Sequence, residues 1–335
     1  MSSFRKSSFL KAGAALLVGL AGLSNAALAR DVTIAHAKGE TVVRAAPGKV
    51  AVFDLATLDN LNALGIDAVA GVPKGKGEAG NFPTHLTKFA DAKYQNVGTL
   101  FEPDTAALTA LSPDLIFVAG RSASKYDAVK AIAPAIDMSS DKGLARTAID
   151  NTRKLGQVFG VSDRAEKRVA AFESQLATLH AAAARQGTGL LLFAAGKGAT
   201  VHAPGDRFGT LYDFVGIRSA VPAAPPKPAV AAPRPAAGSP EAEAARLQRD
   251  QALTTAMATD PNWIFVIDRT AISSAPETTI QERLGADSRI TATAAWQAGR
   301  VIYLDPKSWY VVGAGIDALS DSAKQILAAF EAAGR

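Results

Sequence analysis

The chain has 335 residues, room for two domains of ordinary size, and with 48% apolar and 20% charged residues it is globular in composition. It contains no cysteine, which excludes disulfides, thiolate-bound zinc, a thiol nucleophile and a lipidated N-terminal cysteine. The formal net charge is +5, but Arg5, Lys6 and Lys11 carry three of those charges in a removable leader, so the basic balance does not argue for nucleic acid.

Residues 1–29 read as a signal peptide. Behind the positive residues, Ala12–Leu23 is an apolar run well short of the ~20 residues that span a bilayer. Ala27–Leu28–Ala29 is a small-x-small cleavage site, which makes Arg30 the first mature residue; an uncleaved anchor is the alternative. No other stretch is apolar enough to span a membrane. An exported chain without a lipid attachment suits a periplasm.

The N-terminal lobe is expected over 30–143. Thr33–Arg44 reads as a strand or hairpin, Val50–Leu55 as a strand and Thr57–Leu64 as a helix. The helix has a stripe of Leu58, Leu61 and Leu64 and stops at Gly65. Val69–Val72 is a strand. Lys74–Asn81 is a glycine and lysine loop whose Gly-x-Gly matches neither the P-loop nor the dinucleotide fingerprint, so a solvated loop is expected. Pro103 suits the first turn of a helix over Asp104–Leu111, and Glu102 complements its positive end. Asp114–Ala119 is a strand leading to Arg121, Tyr126–Ile132 a helix and Ile136–Met138 a strand. Alternating strands and helices favour parallel sheets.

A helical connector is expected over 144–186. Val169, Phe172, Leu176 and Leu179 form one apolar stripe. Gly156, Gly160 and Ser162–Asp163 interrupt it once, with Ser162 or Asp163 as cap of the second piece.

The C-terminal lobe is expected over 187–335. Leu190–Ala194 is a strand, followed by a turn at Gly196–Gly198, a short strand Thr200–His202 and a helix over Phe208–Val215. Ser219–Pro240 holds seven of the 17 prolines and reads as a mobile, poorly packing insert. Glu241–Ala258 is a helix, Trp263–Ile267 a strand, Gln281–Leu284 and Ala292–Ala298 are helical, Val301–Leu304 is a strand and Ile316–Ala333 a closing helix.

Two decapeptides match across the connector. Ser112–Pro–Asp–Leu–Ile–Phe–Val–Ala–Gly–Arg121 and Asp260–Pro–Asn–Trp–Ile–Phe–Val–Ile–Asp–Arg269 are each a buried-type strand entered through a proline turn and ending in arginine. The pair predicts an α/β fold of two similar Rossmann-like lobes with mostly parallel sheets, joined by a long helix. Ligands of open α/β sheets bind beyond the carboxyl ends of the strands, so a cleft between the lobes is expected. Asp268, beside Arg269, alternates to the other face of its strand and should point away.

There is no Gly-x-Ser-x-Gly, no His-Glu-x-x-His and no Walker sequence. His36, His85, His180 and His202 stand apart in sequence, and structural or solvent roles are expected for them.

Several motifs together resemble a family. They are the export signal, Val52–Phe–Asp–Leu55, Leu61–x–x–Leu–Gly65, Val72–Pro–Lys74, Glu102–Pro, Ser112–Pro–Asp–Leu–Ile, Arg207–Phe–Gly, Asp260–Pro–x–Trp–Ile–Phe–Val–Ile–Asp–Arg269 and Trp309–Tyr310. In order and spacing they look like the periplasmic siderophore-binding proteins of ABC importers, class III solute-binding proteins, in their catecholate-type branch. The likeness covers most of the mature chain outside the Pro/Ala-rich insert.

The resemblance implies a monomeric, non-enzymatic binding protein with no intrinsic cofactor, limited lobe closure and a shallow cleft for a ferric siderophore. By position Arg121, Arg207 and Arg269 match the arginines that such proteins aim at catecholate oxygens. The chemistry agrees, since a ferric tris-catecholate is a trianion and guanidinium offers a fixed fork of donors that stays protonated. A surface salt bridge is the alternative for each arginine. Tyr310 matches a tyrosine that can bind iron through phenolate where the siderophore leaves sites open; a loop aromatic packed on Trp309 is the alternative. The family's accompanying histidine has no counterpart near Leu247. Trp309 is expected in the cleft. Glu102 and Asp213 match the acids that dock on the membrane permease, which works with its ATPase; plain helix-surface charge is the alternative. Haem, cobalamin or a hydroxamate siderophore on the same scaffold, or an exported enzyme with an unrecognised site, are the rival functions.

Overall fold

The computed structural model describes Met1 and residues 31–76, 82–196, 198–226, 235–273 and 278–334. The leader and its cleavage site, the end of the glycine and lysine loop, Lys197 and residues 227–234 of the Pro/Ala segment lie outside the described residues.

The chain opens with an antiparallel hairpin, β1 (Asp31–His36) on β2 (Gly39–Arg44). The N-terminal lobe is then a parallel sheet of β3 (Val50–Val52), β4 (Val69–Val72), β5 (Gln95–Asn96), β6 (Leu115–Val118) and β7 (Ala135–Asp137), in the order β5-β4-β3-β6-β7. The C-terminal lobe repeats the scheme with β8 (Thr188–Ala195), β10 (Arg218–Ser219), β11 (Trp263–Asp268) and β12 (Val301–Leu304), in the order β10-β8-β11-β12. Here β9 (Gly198–His202) pairs antiparallel with β8 and departs from the otherwise parallel pattern.

The two matching decapeptides occupy equivalent places. β6 lies between β3 and β7, and β11 between β8 and β12. Each is entered from a residue with positive φ ahead of proline, Ser112 (φ 51°) and Asp260 (φ 48°). Every residue of both strands is buried, as expected for sheets covered on both faces. Phe117 and Phe265 are fully buried, and truncating either to alanine costs about 3–5 kcal/mol.

The lobes are knitted by helices rather than joined by one rod. The Leu144–Val158 helix puts Leu155 and Val158 in the N-terminal core and Ala148 and Ile149 in the C-terminal core. The chain reverses at Gly160, and the Ser162–Ala183 helix runs from Ala165 in the first core to Phe172, Leu176 and Leu179 in the second. Its 22 residues span about 33 Å. Gly156 lets the two helices meet closely: a Cβ there would lie 2.6 Å from Cβ of Ala165.

The closing helix Ile316–Ala333 does the same. Its apolar face lies in the C-terminal core, but its first turn is capped from the other lobe. Asp59 accepts from the amides of Asp317 (2.8 Å) and Ala318 (3.1 Å), and Asn60 accepts from Ile316 N–H (2.8 Å). Both acceptors sit on the Leu55–Ala63 helix, whose stripe of Leu58, Leu61 and Leu64 is fully buried as its spacing requires.

Local expectations failed where a neighbour supplied what the sequence seemed to offer. Neither Ser162 nor Asp163 caps its helix; the residue before it, Val161, accepts the amides of Arg164 and Ala165. Pro103 is not in a helix: it bridges Gly98, and Asp104 caps Thr105–Leu111 through the Ala107 amide. The Pro/Ala segment begins pinned to the body. Ala220 donates to Gly189 and Ala224 to Pro204, and Ala220 and Val221 pack on the C-terminal core.

Candidate ligand-binding site

Three loops and one irregular turn meet between the lobes. After β6 the chain makes a tight turn, in which Ala119 donates its amide to Ser122 Oγ and Gly120 donates to Ser139 Oγ. That turn projects Arg121. After β11, Arg269 extends the ladder by donating its amide to Ala194 O (2.9 Å). Arg207 sits in the loop before the Thr210–Val215 helix, where the Ala203 amide donates to Asp206 Oδ2 (3.0 Å). Tyr310 lies on the π-helical turn Lys307–Val312, closed by Gly313 N–H donating to Ser308 O (2.8 Å).

All three arginines converge on Tyr310. The guanidinium carbons of Arg121, Arg207 and Arg269 lie 5.6, 4.9 and 5.6 Å from its ring centre. Arg121 comes from the N-terminal lobe and the other two from the C-terminal lobe. Arg207 also covers Phe208 at 4.8 Å. Beside them lies a pocket of about 400 Å³, lined by Phe53, Asp54, Leu100 and Arg121 from one side and by Arg207 and Val312 from the other.

Arg121 is partly committed. Its guanidinium donates to Val311 O at 3.0 Å and to Tyr310 O, leaving the rest of its five N–H groups for a guest. Burial, then repulsion from Arg207, lowers its pKa, while Asp54 opposes the shift.

The Tyr310 phenol is also displaced. Burial pushes it up, but the hydrogen bond and charge of Arg269, with Arg207 behind them, outweigh burial and hold it below its ordinary value. An acid is present that the arginines' own loops do not show. Asp54, the N-cap of the Leu55–Ala63 helix, is half-buried, and desolvation raises its pKa against the Thr57 hydroxyl and amide that donate to it. Among the described residues lining the pocket, Asp54 is the acid and Arg121 and Arg207 are the cations, and Arg269 reaches the same tyrosine, an arrangement suited to a multiply negative guest.

Asp268 does turn away, as alternation predicts: it takes the Thr270 amide and pairs with Arg283. Trp309 requires a correction. Its indole is buried rather than in the cleft, donates Nε1–H to Ser322 Oγ (3.1 Å) and meets Phe214 edge-on at 5.5 Å. The π-helical turn sends Trp309 into the C-terminal core and its neighbour Tyr310 outward. Glu102 and Asp213 lie exposed, one on each lobe. Glu102 is ion-paired with Lys125 at 2.9 Å.

The sequence reading missed an aromatic wall. Phe193 stacks on Phe208 (5.0 Å) and on Tyr310 (5.8 Å), and His202 stands edge-on to Phe193 (5.6 Å) and Phe208 (5.3 Å). Only the sheet pairing brings these positions together, though Phe208 beside Arg207 was a hint. His85, for which a structural or solvent role was expected, pairs with Asp59 at 2.6 Å. Among the described residues, no three histidine or acidic side chains gather to hold a metal ion by themselves.

Comparison with known proteins agrees with this architecture. The petrobactin-binding protein YclQ of Bacillus subtilis is 29% identical over 302 residues, 88% of this chain and 87% of YclQ. Its crystal structure superposes with a TM-score of 0.74, at 27% identity, over 90% of this chain and 99% of that one. The ferric-anguibactin-binding protein FatB of Vibrio anguillarum is 25% identical over 310 residues, 87% of this chain and 85% of FatB. The catecholate-siderophore binding protein VctP of Vibrio cholerae shares the fold, with a TM-score of 0.74 at 24% identity over 90% of this chain and all of VctP. The pattern of the Periplasmic binding protein family (Peripla_BP_2) matches residues 50–308, and the chain belongs to that family.

Proposed function

We propose that the protein captures a ferric siderophore of catecholate type and delivers it, without covalent chemistry, to an ABC permease and its ATPase. One observation carries this reading: Arg121, Arg207 and Arg269, drawn from both lobes, converge on Tyr310 at 4.9–5.6 Å. Like charges held this close repel, and Arg207 adds to the burial that lowers the Arg121 pKa; a polyanionic chelate relieves that repulsion. A hydroxamate chelate brings little charge and does not. The names of YclQ and FatB, which bind petrobactin and ferric anguibactin, support the same class of guest.

In this reading the protein acts as a monomer in the periplasm, and its leader is removed. Arg121, Arg207 and Arg269 contact the chelate oxygens, and Glu102 and Asp213 face the permease. Tyr310 presents a phenol biased toward phenolate, able to enter an open iron site when the chelate leaves one. Trp309 supports the turn that carries Tyr310.

The test is a fluorescence titration of the mature protein with ferric tris-catecholate, ferric petrobactin, ferrioxamine and haem. Tight binding of the catecholates and weak binding of ferrioxamine and haem is the expected result. The reverse order would sink the proposal.

A further inference from the structure

The N-terminal lobe carries one aromatic ring in an unusual position. Phe101 is 58% exposed, and among the described residues no other Phe, Tyr or Trp side chain is exposed. It is not on a loose loop. Gly98 bridges Pro103, Thr99 N–H donates to Glu102 O (2.9 Å), and Thr99 Oγ1 accepts the amides of Phe101 (3.1 Å) and Glu102 (2.9 Å). Asp104 N–H closes the turn on Val97 O (2.8 Å). Gly98 makes this possible: its φ is +117°, and a Cβ there would lie 2.4 Å from the Glu102 carbonyl oxygen. The turn is therefore a fixed mount that holds an apolar ring out in solvent.

The mount faces the cleft. Leu100, next in sequence, lines the pocket. The Phe101 ring lies 5.9 Å from the guanidinium carbon of Arg121, and the same carbon lies 5.6 Å from the Tyr310 ring. Tyr310 belongs to the opposite wall, continuous with Phe193 and Phe208. One cation is thus flanked by an open ring from one lobe and an aromatic wall from the other.

We propose that Phe101 is the N-terminal half of an aryl-binding slot and stacks on an aromatic ring of the bound chelate, selecting aryl-bearing ferric chelates over aliphatic ones of similar charge. This rests on the cleft being the chelate site, and it adds a specificity that charge alone does not provide. Arginine reads the anionic oxygens; the ring reads the flat face behind them. Aromatic pairs prefer offset or edge-to-face geometry, which an immobile ring can enforce and a flexible one cannot.

The experiment is a binding titration of wild type, Phe101→Trp, Phe101→Leu and Phe101→Ala with ferric bacillibactin, a tris-catecholate, and with ferric citrate, which has no ring. Thermal unfolding of each variant checks the fold, which an exposed position should leave intact. Phe101→Leu and Phe101→Ala are expected to weaken the tris-catecholate about three- to ten-fold, the scale of an aromatic pair. Phe101→Trp is expected to stay within about two-fold of wild type, and no variant should change the response to ferric citrate. Tris-catecholate affinity in Phe101→Leu equal to wild type would overturn the slot while leaving the cleft reading intact. Failure of the wild type to bind either ferric chelate would overturn the cleft reading itself.

Discussion

The Arg121 guanidinium crosses from the N-terminal lobe to the main chain of Tyr310, donating to its carbonyl and to that of Val311. The residue places the turn that carries Tyr310, and on the proposed function its remaining donors serve the guest. Arg121→Ala is expected to weaken chelate binding by about 1.5–3 kcal/mol, the scale of hydrogen bonds to a charged group. Arg121→Lys should recover little, because an ammonium lacks the planar fork that reaches both carbonyls. Fluorescence titration checks both; wild-type affinity in either variant would remove Arg121 from the site.

The Tyr310 phenol supplies a spectroscopic test. Its pKa lies below the ordinary 10.0 because Arg269, and then Arg207, overcome the effect of burial. Removing Arg269 deletes the largest opposing influence, so in Arg269→Ala the phenol should titrate at higher pH than in wild type. Ultraviolet difference absorbance of phenolate, with Tyr310→Phe as the blank, reads the shift. An unchanged or lower midpoint contradicts the arrangement.

The Asp59–His85 pair gives a pH dependence. The hydrogen bond to Asp59, stronger than the opposing effect of burial, raises the His85 pKa from 6.5. A raised folded-state value means stability that is fully present below the unfolded value and lost as pH rises through the folded one. The stability gap between wild type and His85→Ala should therefore be larger at about pH 6 than at about pH 9. Urea unfolding at the two values measures it, and a constant gap would show that the imidazolium contributes nothing.

Glu102 can be separated from binding. It lies outside the pocket lining, and its ion pair with Lys125 is exposed, with 67% of the Glu102 side chain open to solvent, so the pair is worth at most about 1 kcal/mol. Glu102→Ala should leave chelate affinity and stability near wild type yet lower uptake of the ferric chelate in cells. Full uptake would clear Glu102 of a permease contact.

Much of the fold could be read in the sequence because burial wrote it there. The runs at 115–118 and 263–267 are apolar, and each follows a proline turn, so both strands and their arginines were legible. The stripe of Leu58, Leu61 and Leu64 was legible for the same reason. What escaped depends on long-range contact. Thr84–Ala90 forms a 3₁₀ helix without a clear apolar period, and the π-helical turn at Lys307–Val312 reads as a loop. In the site, Arg121 and Arg269 announced themselves by charge at strand ends, and Arg207 by the Arg–Phe–Gly motif. Asp54 and the Phe193–His202–Phe208 wall did not, because their meeting is decided by how β3, β8 and β9 lie beside the π-helical turn. Trp309 misled because neighbours in sequence were assumed to be neighbours in the cleft.

The capped first turn of the closing helix has a mechanical consequence. Prising the lobes apart would strip Ile316, Asp317 and Ala318 of their acceptors on Asp59 and Asn60, so spontaneous gaping is suppressed. A guest arriving from solution meets a finished surface, and its capture is governed by encounter and fit rather than by wrapping. On the proposed function, discharge then requires an external lever, and a permease held through Glu102 on one lobe and Asp213 on the other would apply it.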